Sequence, residues 1–271
     1  MFPASRHAGA GGSGRAALVI GHPGHELRVH GWLELAKPLV LVLTDGSGSG
    51  RESRLASTRD LLARAGARPG PIFGALTDRH LYEALLARRF DVFSDLADQL
   101  AEVLRREQVE VVAGDAIEGY NPGHDVCRLV VNAALERLAA AQGHAPRSLD
   151  FLLAGPPGAG AAEAGRGGII LELDEAALAR KLAAARGYPG LAEEVQQIEA
   201  RFGAQSFRLE CLRPADRRLD VAALFSAPFY ERHGEKQVAA GIYREVVRLR
   251  RHVLPLALAE HLRQTVTVTE S

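Results

Sequence analysis

Short apolar runs alternate along the first half of this chain with longer segments that carry apolar residues at helical spacing. The apolar runs lie at 16–20, 39–44, 71–73 and 109–113. The helical patterns lie at 26–37, 51–65, 91–107 and 126–141. Short apolar runs bounded by turn residues are typical of buried strands, whereas repeats every three or four residues indicate helices. Strands that alternate with helices form a mainly parallel sheet covered on both faces, so the pattern predicts an α/β fold.

The second half of the chain continues this pattern and ends in an extension. Strands are predicted at 169–173 and 206–212, and helices at 175–186, 192–201 and 235–262, the last one broken near Pro255. The segment from Gly155 to Gly168 is rich in Gly, Ala and Pro, which predicts a mobile loop outside the core. We expect residues 1–15 to form a flexible tail and 16–271 a single domain with a C-terminal extension from about 169.

The amino-acid composition bears on which partners the chain binds and in which compartment it lies. Lys and Arg (33) balance Asp and Glu (33), and no long basic run occurs, so the sequence gives no sign of a nucleic-acid surface. Cys127 and Cys211 are far apart and lack CxxC spacing, which argues against a disulfide framework and favours a reducing compartment. No apolar run approaches the roughly 18 residues of a membrane-spanning helix, and the N-terminus lacks the apolar core of a signal peptide. We therefore expect a soluble, cytoplasmic protein without a membrane span.

Polar loops follow three of the predicted strands, after Ile20, Thr44 and Ala113. In open parallel sheets, ligands bind at the carboxyl ends of the strands, near the point where the strand order reverses. The side chains of these three loops are therefore expected to converge.

Two of these loops carry histidines next to carboxylates. The first is Gly21-His22-Pro23-Gly24-His25-Glu26, and the second runs from Glu118 to Asp125 and contains His124. Neutral imidazole is a common zinc ligand, and two or three His from separate loops, with a water, make a catalytic zinc site. A His-Pro in a turn is also common for structural reasons alone, and His25 and Asp125 could simply interact with helix N-termini. Spacing leaves both interpretations open. The other histidines lack ligand spacing and are expected to be surface or packing residues: His30, His80, His144, His233, His252 and His261.

The order of these segments resembles the LmbE-like (PIG-L) de-N-acetylase family. A strand followed by His22-Pro23-x-x-Glu26, and then Thr44-Asp45-Gly46 and Arg54, resembles the start of such proteins, whose first motif is AHPDDE. Asn121-Pro122-Gly123-His124 before a helix resembles their second motif, HPDH. The tail is similar to C-terminal regions of some bacterial members at Pro228–Gly234, Gly241–Tyr243, His252 and Pro255. The resemblance thus covers nearly the whole chain.

This resemblance implies a Rossmann-like fold and zinc-dependent hydrolysis of N-acetyl groups from amino sugars. By position, His22 and His124 match metal ligands of the family. His25 occupies the place of a ligand Asp, and an imidazole can still bind zinc.

Three positions depart from the family's pattern. Gly24 occupies the place of the general base, Asn121 that of the His that stabilises the oxyanion, and Gly123 that of the neighbouring Asp. Asn can donate a hydrogen bond to an oxyanion but cannot act as an acid. Loss of a general base typically costs about 10²- to 10⁴-fold in rate. Another carboxylate would have to replace the base. Glu26, Glu118 and Asp125 are the nearby candidates, with Glu118 the first choice and Asp125 the second.

Further residues have both a functional and a structural interpretation. Glu118 and Asp125 could serve only to hold their loop in place. Arg54 could bind a sugar hydroxyl or phosphate, or lie in solvent. Asp45 and Glu26 could orient a ligand His or stabilise turns. Tyr120 could line the pocket or pack beneath the loop.

The sequence therefore predicts a zinc-dependent hydrolase that removes an acyl group from an N-acylated amino sugar or a related small metabolite. The alternative is a catalytically degenerate member that binds a sugar-like ligand or a partner protein without hydrolysis. A dinucleotide-binding enzyme is disfavoured, because Gly21 to Glu26 does not match GxGxxG. A homo-oligomer is compatible with the sequence.

Overall fold

The computed structural model describes residues 15–48, 52–215 and 227–259. The strands within these ranges are β1 (Ala16–Ile20), β2 (Leu39–Thr44), β3 (Arg68–Leu76), β4 (Val111–Asp115), β5 (Arg147–Phe151), β6 (Ile169–Glu172) and β7 (Leu209–Pro214). They form a seven-stranded sheet in the order β3-β2-β1-β4-β5-β7-β6. The first five strands in this order are parallel, and β7 runs antiparallel to both of its neighbours. The predicted α/β fold with a mainly parallel sheet is confirmed.

Helices cover both faces of the sheet. They are α1 (His30–Ala36), α2 (Leu55–Ala65), α3 (Asp78–Leu86), α4 (Phe90–Arg106), α5 (Pro122–Gln142), α6 (Ala161–Ala164), α7 (Glu175–Arg186), α8 (Ala192–Phe202) and α9 (Phe229–Ala239). One apolar core lies between the sheet and α3, α4, α5 and the C-terminal segment, and the other lies beneath α1, α2, α7 and α8. Because helices lie on both sides, β2 is buried along its whole length, which explains its unbroken apolar run.

The sheet reverses its strand order between β1 and β4. From β1 the chain passes to β2 and β3 on one side, and it then returns to β4 on the other side of β1. The loops that leave β1 and β4 at their carboxyl ends therefore flank the crevice in which such sheets bind ligands.

Helix α5 begins earlier than the predicted start at 126. Asn121 caps its N-terminus, since its Oδ1 accepts a hydrogen bond of 2.7 Å from the backbone N–H of Gly123. Pro122 fills the first helical position, where its missing N–H costs nothing. This start places His124 in the first turn of the helix, at the mouth of the crevice.

The structure differs from the sequence prediction mainly in the second half. The sequence missed α3 and β5, and α6 lies within the stretch predicted to be a mobile loop, with Ala164 buried. The single helix predicted at 235–262 is wrong. Helix α9 ends before Gly241, which has a φ of 71°, and helical turns resume only at 249–259 with Pro255 inside them.

Some predictions concern residues that the structure does not describe or features that it does not test. The tail at 1–15 falls almost entirely outside the described ranges, as does 260–262. The mobility of 155–168 and the division into domains remain predictions. Within the described ranges, none of the helices is long and apolar enough to cross a membrane.

Candidate functional site

Three imidazole rings meet at the carboxyl end of β1 and β4. The ring centroids of His22 and His25 are 5.2 Å apart, those of His22 and His124 are 5.6 Å apart, and those of His25 and His124 are 4.6 Å apart. His22 and His25 follow β1, whereas His124 belongs to α5. The fold thus brings together the three histidines that the sequence singled out.

The ring of His22 is fixed by two side chains. Its Nδ1 lies 2.7 Å from Oγ1 of Thr44 and 2.8 Å from Oδ1 of Asp78. Burial tends to raise the pKa of Asp78, but hydrogen bonds from His22 and Thr44 hold it well below its usual value. Because an ionised carboxylate only accepts hydrogen bonds, Nδ1 of His22 carries the proton. Its Nε2 is buried and has no hydrogen-bond partner among the residues that the structure describes.

The ring of His25 is held by a fully buried carboxylate. Its Nδ1 lies 3.0 and 3.1 Å from the two oxygens of Asp115, and Asp115 also accepts a 2.7 Å hydrogen bond from the backbone N–H of Gly21. Burial tends to raise the pKa of Asp115, but the neighbouring His25 holds it below its usual value. Burial lowers the pKa of His25 in spite of Asp115. The imidazole is therefore neutral at neutral pH, with its proton on Nδ1 and a lone pair on Nε2.

The ring of His124 is also neutral, but no contact of its Nδ1 in the described part of the chain orients it. Burial, and after it the neighbouring His25, lower the pKa of His124 well below its usual value. The N-terminus of α5 disfavours a cation at this position as well. Nδ1 of His124 is buried and has no hydrogen-bond partner within the described ranges.

The donor types at this site suit zinc, but their arrangement does not. In the ranges that the structure describes, there is no group of three or more His, Cys, Asp or Glu residues that could hold a metal ion. The Nδ1 atoms of His22 and His25 contact carboxylates, as in many metal-binding imidazoles, so only their Nε2 atoms could bind a metal. Nε2 of His22 faces Gly123, where an added Cβ would lie only 2.5 Å from it. As they lie, the three rings do not offer a common point to a metal.

A side chain at Gly24, which the sequence resemblance aligns with a general base, would be strained and would displace Leu191. The φ of Gly24 is 107°, a conformation that favours glycine, and an added Cβ would lie 2.3 Å from Cδ1 of Leu191. Leu191 comes from the connection between α7 and α8. This connection therefore forms one wall of the site.

A buried carboxylate fixes the backbone at Gly24. Glu26 is fully buried, and its two oxygens accept hydrogen bonds of 2.7 Å from the Gly24 N–H and from Oγ1 of Thr58. The hydroxyl of Tyr188 lies 2.6 Å from Oγ1 of Thr58. Burial raises the pKa of Glu26. These contacts tie the loop after β1 to α2 and to the segment that carries Leu191.

Glu118 and Asp125, the two predicted replacements for the general base, both accept hydrogen bonds from backbone N–H groups. The oxygens of Glu118 accept hydrogen bonds of 2.7 and 2.9 Å from the N–H groups of Leu153 and Ala154. Oδ1 of Asp125 accepts from the N–H groups of Glu118 and Gly119, while its Oδ2 is buried and has no partner in the part of the chain that the structure describes. Burial raises the pKa of both carboxyls, that of Asp125 to about 7. Their role in catalysis stays a prediction.

The remaining predicted site residues lie around the cluster. Asn121 caps α5, and the guanidinium of Arg54 donates to the carbonyl of Gly46 at 2.8 Å. Oδ1 of Asp45 accepts from Ser47 and from the backbone of Asp78, so Asp45 holds its own loop. Tyr120 is 44% exposed, with its ring centroid 6.2 Å from that of His124.

The sequence patterns did not identify the three residues whose side chains contact His22 or His25: Thr44, Asp78 and Asp115. All three lie at the carboxyl end of a strand or directly after one, so the rule that indicated His22 could also have found them. Of the other histidines, His30 and His252 are buried and His80, His144 and His233 are exposed, while His261 lies outside the described ranges.

Comparison with known proteins gives two similar structures. Neither a protein-family model nor a curated protein matches the sequence. A triple mutant of Orf2, a deacetylase involved in the teicoplanin biosynthetic pathway, is 12% identical over 76% of this chain and 99% of its own, with a TM-score of 0.46. The zinc-inhibited form of teicoplanin deacetylase Orf2 is 12% identical over 74% of this chain and 99% of its own, with a TM-score of 0.41. At this distance, the chemistry of the present chain has to be understood from its own residues.

Proposed function

We propose that the cluster of His22, His25 and His124 is the reaction centre of a hydrolase. Its substrate would be a small molecule with an N-acyl group, such as an N-acylated amino sugar, from which it removes the acyl group. The observation that carries this proposal is the meeting of three imidazoles at the reversal point of the sheet, two of them oriented by ionised carboxylates. Buried titratable groups with shifted pKa values in such a crevice are typical of catalytic sites.

His25 is the residue best suited to accept a proton. Asp115 holds the proton of the ring on Nδ1, which leaves the lone pair of Nε2 available to a water molecule that attacks the amide carbonyl. The same carboxylate stabilises the imidazolium that forms, as the acid does in a catalytic triad. This assigns to His25 the role that Gly24 cannot fill.

Zinc is the cofactor that the sequence resemblance implies, and it remains an expectation. The donor chemistry of the site supports it and the placement of the donors does not. The role proposed for His25 and Asp115 is therefore independent of a metal.

Binding without hydrolysis is the second candidate. Leu191 closes the position of the family's base, and both oxygens of Glu118 hold backbone N–H groups. These two observations favour a site that retains its ligand and has lost the reaction.

Acetate release from a panel of N-acetylated amino sugars tests the first candidate. Protein purified without chelator is analysed for metal and assayed with zinc, without added zinc and with chelator. We expect turnover that falls by about 10² or more in His25→Gln, while His80→Gln, a change at an exposed histidine, leaves it unaltered. Ligand binding without turnover under all three conditions would favour the second candidate. Turnover that requires zinc would show that the rings rearrange around a metal.

A further inference from the structure

The side chain of Leu191 borders the histidine cluster from the connection between α7 and α8. A Cβ added at Gly24 would lie 2.3 Å from Cδ1 and 3.6 Å from Cγ of Leu191. Gly24 directly precedes His25 and lies two positions after His22, and the ring centroids of these two histidines are 5.2 Å apart. Leu191 is only half-buried. It therefore offers an accessible apolar surface beside both rings.

The backbone at Leu191 is held in place. Its N–H donates to the carbonyl of Tyr188 at 3.2 Å, and its carbonyl accepts from the Val195 N–H at 2.9 Å. Tyr188 is buried, and its hydroxyl lies 2.6 Å from Oγ1 of Thr58 and donates to the carbonyl of Arg54 at 3.4 Å. The leucine side chain can change its rotamer, but these contacts hold its Cα. Leu191 thus limits how far this side of the site extends.

This side of the site is apolar, whereas the contacts that hold the rings of the first loop are polar. The polar contacts come from Thr44, Asp78 and Asp115. Beside Gly24, the nearest described atoms other than sequence neighbours belong to Leu191 and Tyr188. An N-acylated amino sugar has an apolar acyl chain on the carbonyl carbon and a polar sugar on the nitrogen. The acyl chain gains free energy against a leucine, while the sugar would lose hydrogen bonds to water there.

We propose that Leu191 determines which acyl group the site accepts. The acyl chain of the reacting amide lies against Leu191, and this side chain limits the chain to about the length of an acetyl group. The first carbon of the chain is bonded to the carbonyl carbon that the water on His25 attacks, so it lies near the residues beside His25. Each further methylene has to displace Leu191. This inference rests on the proposed function and specifies the acyl group of its substrate.

Hydrolysis of N-acetyl-, N-butanoyl- and N-hexanoylglucosamine by the full chain tests this role, because these compounds differ only in the acyl chain. In wild type, kcat/KM should be about tenfold or more higher for the acetyl than for the butanoyl compound, since a methylene that does not fit typically changes it by about 10- to 200-fold. In Leu191→Ala the ratio should fall to about one, mainly because KM for the longer chains falls. Leu191→Val should lower the ratio by less, and it replaces Leu191→Ala if that variant does not fold.

Two controls separate the size of this side chain from a general loosening of the connection. Leu191→Met keeps the volume of the side chain and should keep the preference for acetyl. Ile198→Ala removes a partly buried apolar side chain from α8, the helix that follows Leu191, and should leave the preference unchanged. Calorimetric titration with the same three compounds measures binding in the absence of turnover.

The outcomes distinguish this inference from the proposed function. A preference for acetyl in binding that Leu191→Ala removes, without any turnover, would support the role of Leu191 and overturn the hydrolase. Turnover with a preference that survives in both truncated variants, in protein shown by circular dichroism to be folded, would overturn the role of Leu191 alone. A wild type that hydrolyses the longer chains equally well would do the same. Neither binding nor turnover of any of the three compounds would overturn both.

Discussion

The two loops that supply the histidines are held in different ways. In the first loop, Gly21 to Glu26, the Nδ1 atoms of His22 and His25 both contact carboxylates, and the Gly24 N–H donates to Glu26. In the second loop, Glu118 to Asp125, Nδ1 of His124 and Oδ2 of Asp125 are buried and have no hydrogen-bond partner among the described residues. In the first loop the same holds only for Nε2 of His22, whose ring is nevertheless held through Nδ1. The described residues thus orient both imidazoles of the first loop, whereas the imidazole of the second loop lacks such a contact.

This difference suggests that the first loop positions its imidazole rings, whereas the second loop keeps polar atoms that a ligand can bind. Paired polar groups fix the rings of the first loop before any ligand arrives, which lowers the cost of reaching a reactive geometry. A buried polar atom without a partner costs about 1–3 kcal/mol, so its retention points to a role other than stability. Substitutions that disturb the first loop should therefore lower the free energy of unfolding, whereas a suitable substitution in the second loop should raise it.

The largest loss is expected for Asp115→Ala. The change leaves two buried donors, the Gly21 N–H and Nδ1–H of His25, without their acceptor, and each buried donor left unpaired costs about 1–3 kcal/mol. Urea denaturation at pH 7 measures the loss. Asp115→Asn keeps one acceptor oxygen and should lose less. Equal stability of wild type and Asp115→Ala would mean that the first loop is not held by this carboxylate.

The second loop should respond in the opposite direction in Asp125→Asn. Burial raises the pKa of Asp125 to about 7 from a usual value of 3.8. The folded chain thus binds this proton more tightly than the unfolded chain, so the contribution to stability is complete below pH 3.8 and is lost as the pH rises through about 7. Asn stays neutral, and the variant should exceed wild type by about 2–4 kcal/mol at pH 8 and by little at pH 4.

Denaturation curves at pH 4 and pH 8 measure this effect. Asp125→Ala is the matched control, because it removes the charge together with the acceptor of the Glu118 and Gly119 N–H groups. It should be less stable than Asp125→Asn at both pH values. A stability difference between wild type and Asp125→Asn that does not change with pH would contradict the raised pKa.

The secondary-structure elements differ in how well the sequence could predict them. The bounds of β1 and β2 match their apolar runs, because buried parallel strands need unbroken apolar residues and Gly-His-Pro or Asp-Gly ends them. The sequence missed β5, in which Arg147, Ser148 and Asp150 interrupt the apolar pattern. Within the described ranges the helix is interrupted at Gly241. The spacing of apolar residues alone did not reveal this interruption and predicted a continuous helix.

In the candidate site, too, some features could be predicted from the sequence and others could not. The three histidines could be predicted, since each follows a strand that the sequence reveals. The same rule could have placed Asp115 and Asp78 near the site, but not which histidine each one contacts, because those contacts depend on which strands lie side by side. The contact of Leu191 with Gly24 is equally non-local, and no spacing in the sequence indicates it.

Introducing a carboxylate at this position with Gly24→Asp should destabilise the first loop by about 1–3 kcal/mol, because the backbone has a φ of 107° and Cβ would meet Leu191. We expect no gain of hydrolysis in this variant. Adding Leu191→Ala removes the clash but not the backbone strain, so the double variant should recover only part of the stability. Thermal denaturation and acetate release measure both effects. A single variant as stable as wild type and more active would show that the position of the base is open.

The smallest change is expected for Glu118→Gln, which tests whether the second loop contributes a base. Its two oxygens hold the N–H groups of Leu153 and Ala154, and the amide of Gln would turn a donor towards one of them. Stability should fall by about 1 kcal/mol, the typical net value of one hydrogen bond. If Glu118 only holds the loop, kcat/KM should fall by less than about tenfold, whereas loss of a general base lowers it by about 10² or more. His25→Gln in the same assay supplies the reference for a lost proton acceptor. A larger fall in Glu118→Gln than in His25→Gln, at equal stability of the two variants, would assign the base to the second loop and leave His25 with a positioning role.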